Sequence, residues 1–204
     1  MSKLDKALGD ISTIRRQMAE STQFRGYGSA TLGVTGLFAI LGAGVQTAWL
    51  GDPVGHIRVY LIIWISTAVL SAALTGTQMY RRSRRMHSGL SDHMIRMAVE
   101  QFLPAVGAGV LITIVLARVV PTVSWMLPGM WQLIFSLGIF SSCRFLPRPM
   151  LLAGMWYLSV GLACLSLGDS QALAPWTMGV GFGAGQLFVA AILFLTTRED
   201  MDES

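Results

Sequence analysis

The chain reads as an all-α membrane protein: six transmembrane helices in three hairpins, both termini cytoplasmic, with a short amphipathic helix at the N-terminus. Three observations lead there. Of 204 residues, 53% are hydrophobic and only 13% charged, about half the charge of an ordinary soluble domain. Six apolar stretches approach the roughly 20 residues needed to cross a bilayer core about 30 Å thick. Lysine and arginine gather in alternate connections, the side on which cationic residues are retained.

Residues 1–25 come first. Leu4, Leu8, Ile11, Ile14 and Met18 form one helical stripe opposite mixed charges, and Ser2 with Asp5 resembles a capping box. A helix this short is marginal alone in water, so the stripe is expected to rest on the inner membrane surface, a second copy or a cytoplasmic partner. No long apolar run precedes Gly28, so no cleavable leader is expected.

The membrane domain is placed at residues 26–198, with spans at about 28–50, 57–78, 102–120, 127–145, 150–167 and 175–196, and a tail at 199–204. Lys3, Lys6, Arg15, Arg16 and Arg25 precede the first span, and Arg144 and Arg148 separate the fourth from the fifth. Arg81, Arg82, Arg84 and Arg85, in "MYRRSRRMHSGL", follow the second span directly. The other side holds only Arg58 and Arg118. The arginine run therefore reads as a topological anchor on anionic headgroups, at about 1 kcal/mol per residue. No basic domain with interleaved aromatics accompanies it, so nucleic acid is not expected as a partner. Residues 91–101 are expected to form a further short helix capped by Ser91 and running into the third span. His87 and His93 beside Asp92, and His56 beside Asp52, lack the spacing of metal ligands.

No Asp, Glu, Lys, Arg or His occupies the middle third of any span. Proton relays and ion pathways are marked by such groups, and a haem held between spans needs an axial ligand at depth. Intramembrane hydrolysis needs a carboxylate pair, a Ser–His pair or a metal motif. The expectation is no cofactor, no metal, no catalytic residue and no enzyme. Cys143 and Cys164 read as packing residues. Met126, Met130 and Met178 suit adaptable packing, although such clusters can hold Cu(I).

What remains is neutral polarity and glycine. Trp64, Thr67, Ser71, Thr75 and Gln78 share one face of the second span. With Gln132 and Gln186 they are candidates to cradle an uncharged ligand. The alternative is that the hydroxyls bond back to their own helix and the glutamines join helices. Gly33 and Gly36 lie on a small-residue stripe of the first span. In "MGVGFGAGQLF", Gly181 and Gly185 fall on one side of a helix and Gly179 and Gly183 almost opposite. Such spacing suits close packing between two neighbours, or a bend. Pro53, Pro128 and Pro175 open the even-numbered spans, and "QLIFSLGIF" is similar to "QLFVAAILF", which suggests an internal repeat.

The stretch "WQLIFSLGIFSSCRFLPRPM", with "APWTMGVGFGAGQLF" after it, resembles an uncharacterised family of small bacterial six-span integral membrane proteins. The likeness covers mainly the second half of the chain and carries no catalytic motif. It implies a bacterial inner-membrane location, and the family's companionship with winged-helix regulators in some genomes adds a little weight to a sensory reading. Two functions are expected to compete. One is binding or transport of a neutral or lipid-like molecule by a homodimeric or otherwise oligomeric bundle in contact with membrane lipids. The other is a membrane sensor that engages a cytoplasmic partner through its N-terminal helix and the 79–101 connection.

Overall fold

The computed structural model describes residues 28–85, 89–143 and 149–202. The expected N-terminal amphipathic helix, and the side chains of Arg82, Arg84 and Arg85, lie outside the described part.

Every regular element among the described residues is helical. Helix α1 is Ser29–Trp49, α2 Ile57–Arg85 and α3 Gly89–Arg118. A 3₁₀ turn, Pro121–Met126, leads into α4, Leu127–Ser142, and α5 is Met150–Ser166. Two single-turn helices follow, α6 (Asp169–Ala172) and α7 (Pro175–Met178). The chain then widens into a π segment, Gly179–Ala184, and continues as α8, Gly185–Asp202. Five stretches are long and apolar enough to cross a membrane, at 29–49, 57–81, 99–118, 121–142 and 175–195. Helix α5 is apolar but shorter, with 17 residues, or about 25 Å at 1.5 Å per residue.

The helical stretch at 91–101 runs into the third span as one continuous rod, α3, with Pro104 inside it, and the rod begins at Gly89, ahead of the expected cap at Ser91. The hydropathy changes along that rod while its backbone ladder continues, so the edge of the apolar run does not mark a helix end.

Contacts set the helix directions. Gly28 meets Gln78, and Gly42 meets Trp64 and Thr67, so α1 and α2 run antiparallel. Gly36 faces Gln186, and Gly179 faces Ala43, so α8 also opposes α1. Gly129 faces Gly161 and Leu165, and Gly154 faces Phe140, which makes α4 and α5 antiparallel. Phe102 on Gly138 and Trp131 bonded to Thr113 do the same for α3 and α4. Successive long helices therefore alternate in direction, and the start of α1 and the end of α8 share one end of the bundle. Arg81 lies at that arginine end. At the opposite, tryptophan end are Trp49, Trp125 and Trp176, of which Trp49 is 83% and Trp176 51% exposed.

Helices α1, α4, α5 and α8 make the interior. Helix α2 rests on α1, α3 rests on α4, and the two scarcely touch each other. They present broad aliphatic faces, including Ile62, Val69, Leu70, Leu103 and Leu111. The core has two parts. Near the middle, Phe135 stacks edge-on against Phe102, Tyr157 and Phe182, with ring centroids 4.7–5.5 Å apart. Towards the tryptophan end, Ala39, Leu50, Tyr60, Trp64, Leu173 and Met178 form a second cluster.

Candidate functional site

The site is built where the chain breaks helix twice between α5 and α8. Gly168 ends α5 with φ of 73°, a left-handed conformation that other residues rarely adopt. The following turn folds inward, burying Ala172 and Leu173 completely or nearly so. Ala174 is extended, and Pro175 restarts the helix at a position where a missing N–H costs nothing. Two breaks leave carbonyls without intrahelical partners, and in an apolar surrounding each needs a donor from elsewhere.

Side chains from three other helices supply them. Gln46 of α1, wholly buried, donates Nε2–H to the Leu173 carbonyl at 2.6 Å. Its Oε1 accepts the Trp64 indole N–H of α2 at 2.8 Å, so the tryptophan fixes the orientation of the amide. Gln132 of α4, also wholly buried, donates Nε2–H to the Thr177 carbonyl at 3.2 Å. The Thr177 hydroxyl shares its one proton between the carbonyls of Ala172, at 2.9 Å, and Ala174, at 2.7 Å. The Cys164 thiol of α5 points at the Ala172 carbonyl from 3.7 Å. Residues 168–177 thus form a plug at the tryptophan end, held by its own carbonyls. Each such interhelical bond contributes about 0.6 kcal/mol within a membrane.

Below the plug runs the π segment. Its wider turn is commonly found at functional positions, and here glycines let neighbours approach on both sides. A Cβ on Gly183 would lie 2.8 Å from Ile40, and one on Gly179 3.0 Å from Ala43, both of α1. On the other side, a Cβ on Gly181 would lie 2.6 Å from the Gln132 amide, and one on Gly185 2.7 Å from the Tyr157 hydroxyl. The Gly181 carbonyl accepts the Trp156 indole N–H at 3.1 Å.

Around the plug and the π segment lie three buried polar atoms with no protein partner: the Tyr60 hydroxyl, Gln132 Oε1 and the Tyr157 hydroxyl. All three residues have no exposed surface. An unsatisfied buried polar group costs about 1–3 kcal/mol, so each of the three needs a reason.

The seven residues singled out in the sequence do not converge on one cavity. Trp64 joins the plug through Gln46. Gln132 holds the plug and touches Gly181. Gln186 sits half-buried across from Gly36 of α1. Thr67 and Thr75 donate to carbonyls of their own helix, those of Ile63 at 2.8 Å and Ser71 at 2.9 Å. Ser71 is half-buried on the same helix, and Gln78 lies against Gly28 with Oε1 unpartnered. Of the glycines, Gly36 approaches the Gly183 carbonyl, with 3.0 Å left for a Cβ, whereas Gly33 has open space before it. Sequence reasoning missed Gln46, Tyr60, Tyr157 and Thr177. The usable signal was Gln46, a lone amide in the last turn of an apolar span, and "APWT", a helix restart that leaves carbonyls bare. Asp52 and His56 belong to a turn: Asp52 Oδ1 accepts the Val54 and Gly55 amides, each at 3.1 Å. Among the described residues, no three His, Cys, Asp or Glu side chains gather as metal ligands.

The chain matches no protein-family model, no curated protein and no solved structure.

Proposed function

We propose that the chain is an integral protein of a bacterial inner membrane that takes an uncharged, amphipathic or lipid-like molecule into its helical bundle. The observation that carries this reading is the set of neutral polar atoms, on Tyr60, Gln132 and Tyr157, buried without partners inside an otherwise apolar bundle. They offer donors and an acceptor but no charge, which suits a hydroxyl, ester or amide. The absence of ionisable residues from the middle of the spans favours a neutral ligand.

In this reading six helices cross the membrane with both termini inside. Alternating helix directions support it, as do arginine at one end and exposed tryptophan at the other. Helix α5 is short for a full crossing, but it packs against α4 and α8 and keeps an exposed aliphatic face that includes Leu151, Leu152, Met155 and Leu162. A thiol placed at residue 3 or 203 should stay unlabelled by a membrane-impermeant reagent added to intact cells. Labelling of either from outside refutes the topology.

Native mass spectrometry of the chain released from lipid particles tests the ligand. The wild type should retain an uncharged adduct. Tyr60→Phe combined with Tyr157→Phe should weaken retention at least tenfold while the protein stays folded. A wild type that keeps no adduct under conditions that preserve other bound lipids removes the reading.

A further inference from the structure

The plug has properties of a moving part. Its two ends are glycine-bearing joints: Gly168, in the left-handed region, on one side and the π segment with Gly179, Gly181 and Gly183 on the other. Between them, among the described side chains, every tie to the rest of the bundle is a neutral hydrogen bond or an apolar contact. Gln46, Gln132 and Cys164 bond to backbone atoms of the plug. Leu173, at its tip, is seated among Leu50, Tyr60, Trp64 and Met178. The Tyr60 hydroxyl has no partner while Leu173 fills that box. Lifting the plug would let water reach the bared carbonyls of residues 172–174, so opening gives back part of what it breaks.

We propose that residues 168–177 are a hinged gate at the tryptophan end. Leu173 occupies the seat that receives the apolar part of a neutral amphipathic molecule, and the Tyr60 hydroxyl and Gln132 amide meet its polar group. The proposal rests on the ligand-binding reading above and adds the route of entry and the seat. The clamps are weak singly, so the open form is a minor population that each lost clamp raises about threefold to tenfold.

Cys164 is a native reporter, buried beneath the gate. In a Cys143→Ser background reconstituted in vesicles, a charged, membrane-impermeant methanethiosulfonate should modify Cys164 slowly. Gln46→Leu should speed the reaction about tenfold, because it frees the Leu173 carbonyl and the Trp64 indole together. Gln132→Leu, which frees the Thr177 carbonyl, should speed it about threefold and guards against a Gln46 variant that misfolds. Ser66→Ala, whose hydroxyl bonds carbonyls of its own helix, should leave the rate unchanged. Rates equal to wild type in both folded clamp variants overturn the gate and leave the ligand reading standing. Loss of the mass-spectrometric adduct with accelerated labelling intact does the reverse.

Discussion

At the tryptophan end, side chains reach across helices to bond backbone carbonyls. Through the rest of the bundle, hydroxyls mostly turn back on the helix that carries them. Gln46 and Gln132 exemplify the first habit. Ser66, Thr67, Thr75 and Thr113 exemplify the second. The difference follows from the backbone. An unbroken helix satisfies its own carbonyls, so a Ser or Thr there needs only a local acceptor. A helix broken at Gly168 and again before Pro175 leaves carbonyls that hydrocarbon cannot satisfy. The buried amides of Gln46 and Gln132 are thus explained by where the chain stops being helical.

The largest effect should come from disturbing the glycine contacts below the plug. Gly181→Leu drives a side chain into the Gln132 amide, which lies 2.6–2.9 Å from the first added carbon. The loss should reach about 3 kcal/mol or more, measured as thermal stability in detergent or as failure to accumulate in the membrane. Gly33→Leu, where nothing lies within 4 Å, should change stability by less than about 0.5 kcal/mol. Equal losses at both sites would mean that the π segment is loosely packed.

Gln46→Leu comes next. It keeps the volume but leaves the Leu173 carbonyl and the Trp64 indole N–H unpaired. A loss of about 2 kcal/mol is expected, and Trp64→Phe should recover part of it in the double variant by removing one orphan. Additive single losses would show that the two side chains do not act as one unit.

Much of this architecture was legible in the sequence, and the part that was not has a definite cause. Apolar length gave the rods, and alternate glycines at 179–185 marked a helix with close neighbours on two sides. Hydropathy set the amphipathic turns at 91–101 apart from the third span, whereas both belong to α3, because lipid and water meet along a single helix. The polar stripe from Thr67 to Gln78 was conspicuous by its spacing, yet its two threonines bond within α2. Gln46 had no periodic companions, and its partner is the backbone of residue 173, 127 positions away. A side chain paired with a distant carbonyl leaves no pattern in sequence, since any residue can supply the carbonyl.

The third effect has the opposite sign. Tyr157→Phe removes a fully buried hydroxyl that has no protein partner and retains the ring packed on Phe135 at 4.7 Å. In ligand-free protein it should gain up to about 1 kcal/mol, while the matched change at Trp64, whose N–H is bonded, should lose. A loss at Tyr157 would mean that its hydroxyl is satisfied, and the buried polar set would shrink to two.

The smallest effect should be Thr67→Val. The hydroxyl bonds the Ile63 carbonyl one turn back at 2.8 Å, and that carbonyl remains within an unbroken helix without it. Valine has nearly the same shape and can still fill the contact opposite Gly42, where a Cβ would lie 3.0 Å from Thr67 Oγ1. A change below about 0.5 kcal/mol follows, and Thr75→Val should match it. Should Thr67→Val instead cost as much as Gln46→Leu, or weaken adduct retention as strongly as the tyrosine pair, local bonding would not account for α2. Its hydroxyl face would then belong to the ligand site, and the contrast between the broken and unbroken halves of the bundle would no longer hold.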